Sequence, residues 1–163
     1  MQELKMTSIV HAYEHLNELP KADQDLMQAA IKARSHAYAP YSNFHVGAAV
    51  LLNDGTIVLG NNQENVAYPS GLCAERTALF AAGANFPGQA VVKLAISAAS
   101  LDFEVSEPVY PCGACRQVMS EYEQLSKQPM EILMMGATGG VHVVKGLINI
   151  LPVAFNADNL KRK

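Results

Sequence analysis

The chain has 163 residues, half of them hydrophobic, and a formal net charge of −3, enough for one well-cored domain and too few for two of ordinary size. That charge and the lack of a basic stripe exclude a polynucleotide as the expected partner, because neutralising phosphates takes lysine and arginine in quantity. No apolar run approaches the roughly 20 residues that span a bilayer, and the opening Met1-Gln2-Glu3-Leu4-Lys5 lacks a signal peptide's apolar core, so no membrane partner and a cytoplasmic location are expected.

Residues 1–20 read as an extension ahead of a unit that runs over 21–163. Ile9, Val10, Tyr13 and Leu16 mark one apolar helical face, with a strand over Thr7 to Val10 as the competing reading. On that helix His11 and His15 share one side at i, i+4, a metal-ligand spacing, but no third ligand stands near them, and they read as surface histidines. From Asp23 to Ala39 a helix is expected, with Asp23 as N-cap, a stripe of Leu26, Ala29, Ala30 and Ala33, and Pro40 as its stop. Phe44 to Leu52 is a buried strand, Asn53-Asp54-Gly55 a hairpin turn and Thr56 to Gly60 the partner strand. Gly47 marks a close approach by another backbone.

Asn61 to Leu72 is a polar loop that leads into a helix beginning at Cys73, whose apolar run is Thr77 to Ala82. Gly83 to Gly88 turns the chain into a strand over Val91 to Ala99, and Leu101 to Tyr110 connects it to a second helix, about Cys112 to Ser126, with Val118, Met119, Tyr122 and Leu125 at helical intervals. Strands at Glu131 to Met135 and Val141 to Val144 flank a Gly139-Gly140 turn, and a helical turn over Leu147 to Leu151 precedes Pro152. Lys161-Arg162-Lys163 closes the chain as a solvated tail. This alternation predicts an α/β fold, a three-layer α/β/α sandwich with one mixed sheet of about five strands.

The chemistry concentrates in Cys73-Ala74-Glu75-Arg76 and Pro111-Cys112-Gly113-Ala114-Cys115-Arg116, which hold all three cysteines. Three thiolates leave one corner of a tetrahedral zinc open, as a catalytic site requires, and a carboxylate beside that corner can move protons. Each cluster stands at an expected helix start, where free N–H groups and the macrodipole favour thiolate. Zinc with three thiolates carries a formal charge of −1, so Arg76 and Arg116 are candidates to donate to sulfur and offset it. A redox Cys-x-x-Cys pair would need neither Cys73 nor Glu75. A structural zinc would want a fourth ligand, and His36, His45 and His142 stand at no finger-like spacing from a cysteine.

Cys-Ala-Glu followed by Pro-Cys-Gly-Ala-Cys resembles the zinc deaminase signature. With Ala39-Pro40-Tyr41-Ser42-Asn43-Phe44, Asn62-Gln63-Glu64-Asn65 and Leu151-Pro152-Val153-Ala154-Phe155 in order, the chain from about Ala29 to Leu160 resembles the small homotetrameric, three-cysteine cytidine deaminases of free nucleosides. The resemblance implies the same α/β/α fold, Zn2+ on Cys73, Cys112 and Cys115, and Glu75 as the proton carrier between water, ring N3 and leaving amine. It implies Arg76 bonded to the ligand sulfurs, Asn62 and Glu64 on the 3′-hydroxyl, and Phe44 packed on the pyrimidine. It also implies Tyr68 near a subunit boundary and Phe155 reaching a neighbouring subunit's site. The reaction implied is hydrolysis of cytidine and deoxycytidine to uridine and deoxyuridine with loss of ammonia, in pyrimidine salvage. Three alternatives are a deaminase of a cytosine-containing antibiotic nucleoside, a nucleic-acid-editing deaminase, and a zinc-binding scaffold without catalysis. Pro69-Ser70-Gly71-Leu72, just before Cys73, departs from the family pattern at the rim of the expected site.

Overall fold

Side-chain alternation along the strands builds two cores back to back. The structure, a computed structural model, describes residues 1–160. After a short β1 at His11–Tyr13, β2 runs over Phe44–Leu52. It sends Ala48, Val50 and Leu52 to one face of the sheet, with Leu94 and Ile96, and Ala49 to the other, with Ala95, Leu133 and Val143. Helix α1 (Lys21–Arg34) covers the second face through Leu26, Met27 and Ala30. Helices α2 (Ala74–Asn85) and α3 (Gly113–Ser126) cover the first through Ala78, Leu79 and Met119. The three-layer α/β/α sandwich is therefore present.

The remaining strands are β3 (Ile57–Asn61), β4 (Val91–Ser100), β5 (Glu131–Met135) and β6 (Val141–Lys145). They lie in the order β1-β6-β5-β4-β2-β3, parallel between β4 and β5 and antiparallel elsewhere. The sheet is mixed as expected, with six strands where about five were expected. The addition is β1, which pairs His11 with Val143 and Tyr13 with Val141. The apolar spacing of Ile9 to Leu16 therefore belongs to no helix: β6 presents a row of unpaired edge groups, and pairing with it satisfies more backbone than a short isolated helix would. Only one 3₁₀ turn forms there, Leu16–Glu18, and His11 and His15 do not share a helical side.

Helix α1 also departs from expectation at both ends. Pro20 occupies its N-cap, and Asp23 lies buried in the first turn, paired with Lys93 at 2.6 Å, while Lys93 also holds Glu131 at 2.6 Å. The helix stops at Arg34, well before Pro40, because Tyr38 is pulled into the sheet-edge loop: its N–H donates to Asn62 O at 3.0 Å and its carbonyl accepts from Glu64 N–H at 2.8 Å. Two glycines let helices rest on strand backbone. A Cβ on Gly47 would meet Ala30 O at 2.1 Å, the close approach its position implied. A Cβ on Gly60 would meet Ala78 N at 2.4 Å and Ala74 O at 2.5 Å, so β3 carries the first turn of α2 directly. Among the described residues no helix is long and apolar enough to cross a membrane. The Lys161-Arg162-Lys163 tail lies outside the described residues.

Candidate active site

Both cysteine clusters do stand at helix starts. Cys73 is the N-cap of α2 and Cys112 the N-cap of α3, each in extended conformation, and Cys115 faces inward from the first turn of α3. Two helix N-termini thus turn their free N–H groups and positive dipole ends toward the same sulfurs. Sγ of Cys73 lies 3.9 Å from Sγ of Cys112, which lies 3.5 Å from Sγ of Cys115. Zinc–sulfur bonds of about 2.3 Å at tetrahedral angles put sulfurs about 3.8 Å apart, so the trio has the spacing of one face of a zinc tetrahedron. Among the described residues no His, Asp or Glu joins these three as a fourth ligand.

The thiols are electrostatically unequal. Cys115 and then Arg76 donate to Cys73 and, against its burial, bring its pKa down to about 5, so Cys73 is a thiolate at neutral pH. Cys115, as donor to Cys73 and as a buried group, is pushed up. Nη2 of Arg76 stands 3.7 Å from Cys73 Sγ, the sulfur contact expected of it. Arg116 does not share that role: its Nε donates to Pro111 O at 2.8 Å and its Nη1 to Ile150 O at 2.9 Å. Its guanidinium forks across two carbonyls, bracing the chain just before Cys112 against the C-terminal segment, because its side chain leaves α3 away from the sulfurs.

Glu75, in the first turn of α2, is 4 % exposed. Burial raises its carboxyl above the ordinary range, the Cys73 charge adds to this, and helix N–H and Cys115 oppose it. A buried carboxyl lifted toward neutrality beside a metal-binding trio is suited to taking up and releasing protons.

Cys73 and Arg76 also line a cavity of about 440 Å³ with Tyr41, Ser42, Asn62, Glu64 and Tyr68. Glu64 accepts from the Tyr41 N–H at 2.9 Å, the Ser42 N–H at 3.3 Å and the Ser42 hydroxyl, and the hydroxyl above all holds its carboxyl below the usual range. Asn62, buried, works as an extra rung of the sheet: its Oδ1 accepts from Val46 N–H and its Nδ2 donates to Phe44 O, both at 2.8 Å. The structure thus gathers Asn62, Glu64, Tyr68, Cys73 and Arg76 at one cavity. Phe44 is not in its lining and stacks instead on Phe103, and Phe155 stands apart and exposed on the C-terminal segment, where its carbonyl accepts from Gln117 Nε2 at 2.7 Å. Sequence reasoning missed Ser42; a hydroxyl between two aromatics in Tyr41-Ser42-Asn43-Phe44 was the available signal.

The family described as the cytidine and deoxycytidylate deaminase zinc-binding region matches residues 20–128. A cytidine deaminase of Halalkalibacterium halodurans is 41% identical over 84% of this chain and 96% of its own, and one of Sporosarcina psychrophila is 40% identical over 84% and 93%. The crystal structure of cytidine deaminase from Burkholderia pseudomallei superposes with a TM-score of 0.69 at 44% identity, covering 80% of this chain and 97% of that one. With its sulfur trio, its buried acid and these relatives, the chain belongs to the cytidine and deoxycytidylate deaminase family.

Proposed function

We propose that this protein hydrolyses cytidine and deoxycytidine to uridine and deoxyuridine, releasing ammonia, as a step of pyrimidine salvage in the cytoplasm. The carrying observation is the sulfur trio at tetrahedral spacing with the buried carboxyl of Glu75, two residues after Cys73, hydrogen-bonded to Cys115. Cys73, Cys112 and Cys115 hold zinc, which when bound supplies a Lewis acid and an activated water at C4 of the pyrimidine. Glu75 would take one proton from the attacking water and place it on ring N3, then collect the remaining proton from the C4 hydroxyl and pass it to the amine, so that the C4–N bond breaks, ammonia leaves and the oxygen stays as the uracil carbonyl. Its raised pKa lets one carboxyl serve as base first and acid second. Arg76 offsets the charge of Cys73.

Substrate binding falls to the cavity loop. Asn62 uses one donor hydrogen and one lone pair on β2 and has the others for the ribose 3′-hydroxyl, and Glu64 has lone pairs to spare beyond those taken by Tyr41 and Ser42. Phe44 packs on the base. Tyr68 and Phe155 are exposed in one subunit, which suits side chains that act across a subunit boundary in a homotetramer. The catalytic unit begins at residue 21, and residues 1–20 are an extension that lends it the edge strand β1.

The test is Glu75→Gln. This variant keeps its zinc and loses about 10²–10⁴-fold or more in kcat, followed by the ultraviolet change as cytidine becomes uridine. A zinc-loaded variant with near-native turnover refutes the role of Glu75, and wild-type protein that binds zinc but leaves cytidine unchanged refutes the activity.

A further inference from the structure

Phe103 lies in the connection after β4, 61 % exposed and far from either core, yet it is held in place. Its ring stacks on that of Phe44, centroids 6.3 Å apart and planes 29° from parallel. The backbone beneath it is tied to the segment that carries Phe44. Leu101 N–H donates to Asn43 O at 3.0 Å, and Asn43 Nδ2 reaches both carboxylate oxygens of Asp102 at 3.2 Å. Asp102 N–H in turn donates to Ser100 Oγ at 3.1 Å. Asn43 takes a left-handed conformation, φ 53°, which only a few residue types accept readily, to make this junction.

Phe44 stands on the sheet face that carries α2 and α3, by the same alternation that puts Val46 and Ala48 there. It is therefore on the side of the sulfurs. An aromatic ring offers two faces, and a ring free on both would rotate about χ1 and χ2 before it met a base. Stacking by Phe103 occupies one side of Phe44 and leaves the rest of the ring for a ligand.

We propose that Phe103 is a positioning residue for base recognition: it fixes the ring of Phe44 so that the pyrimidine meets a preset surface. This rests on the proposed placing of the base at Phe44. A ring that acts only through Phe44 affects ground state and transition state alike, so it moves KM and leaves kcat. It also acts on the base, which cytidine and deoxycytidine share.

The experiment is steady-state kinetics of the zinc-loaded protein with both nucleosides, alongside sedimentation and zinc content. Phe103→Leu keeps an apolar side chain and loses the ring pair. The expected result is a KM raised about 2- to 10-fold, equally for both substrates, with kcat, zinc per subunit and assembly size unchanged. Phe103→Tyr restores KM, and Asp102→Ala, which frees the loop while keeping the ring, raises it. Wild-type KM in Phe103→Leu, with Phe44→Ala raising KM, overturns the assignment of Phe103 and leaves the base site standing. Wild-type KM in Phe44→Ala removes the base site itself. A KM rise that comes with lost zinc or a smaller assembly makes Phe103 a structural residue and also overturns the proposal.

Discussion

Gly60→Ala is a sharp test of how the fold holds the site. The added Cβ would stand 2.4 Å from Ala78 N and 2.5 Å from Ala74 O, both backbone, and these two atoms stand at i+4 and i in the hydrogen-bond ladder of α2, directly after its first bond, Thr77 N–H to Cys73 O. Ordinary carbon contacts begin near 3.5 Å, so strand and helix must part by about 1 Å. Overpacking of this kind costs about 1–3 kcal/mol, and weakening one helix hydrogen bond adds about 1 kcal/mol. For a chain of this size the sum lowers Tm by roughly 4–16 °C. The displaced turn carries Cys73 and Glu75 away from the α3 cysteines, so zinc affinity falls, and kcat falls by about 10²-fold. Gly113→Ala is the control: it lies between Cys112 and Cys115, but its Cβ would meet nothing within 4 Å, and it should keep its zinc and its Tm. Calorimetry at matched concentration and zinc titration of both variants decide the matter. Gly60→Ala with native Tm, zinc affinity and turnover would refute the claim that β3 sets the position of the catalytic turn.

Three further outcomes follow from the site's charges and hydrogen bonds. Ser42→Ala removes the hydroxyl that contributes most to holding Glu64 ionised, so KM rises about 3- to 10-fold and its acid limb moves to higher pH; an unchanged pH profile of KM would separate Ser42 from substrate binding. Zinc binding at pH 7 releases fewer than three protons, because Cys73, at about 5, has already lost its own, and below that pH the affinity falls more steeply; titration calorimetry in buffers of different ionisation heat counts them. In metal-free protein Glu75 holds its proton more tightly folded than unfolded, so its contribution to stability is full below the unfolded value and is lost as pH rises through the folded one. Metal-free Glu75→Gln should therefore equal wild type at acid pH and exceed it in stability at pH 8, and equal denaturation midpoints at pH 8 would contradict the burial argument.

How much of this was legible in the sequence depended on whether a signal was local. Cys73 and Cys112 could be placed at helix starts because periodic apolar runs follow them directly, and Gly47 announced a close contact because glycine inside an apolar strand has few other uses. Residues 9–16 could not be settled, since their apolar spacing fits a helix, and the edge of β6 that makes His11–Tyr13 a strand comes from residues 141–145, far along the chain. The same non-local cause hid Ser42 and Phe103. Each is ordinary where it stands and matters through Glu64, more than 20 residues on, or through Phe44, nearly 60 residues back.

The two arginines show why a motif fixes a position and leaves its role open. Both Arg76 and Arg116 follow a ligand cysteine within its helix's first turns, and charge balance alone would accept either beside the sulfurs. Geometry separates them. Arg76 stands three residues after an N-cap cysteine, so one helical turn returns its guanidinium to the sulfur of Cys73. Arg116 too stands one helical turn after an N-cap cysteine, Cys112, whose carbonyl accepts its N–H at 3.0 Å, but its guanidinium is taken by the carbonyls of Pro111 and Ile150 instead. Among the described residues a single guanidinium thus faces three thiols, and its Nε is buried without a hydrogen-bond partner. A buried charged donor left unpaired is costly unless nearby negative charge favours the cation, and the thiolate of Cys73 supplies that charge. Arg76→Lys should therefore lose more than charge conservation suggests, because an ammonium spans neither the sulfur nor the space around Nε. Zinc affinity in Arg76→Lys that matches wild type would show that only the net charge of the site counts.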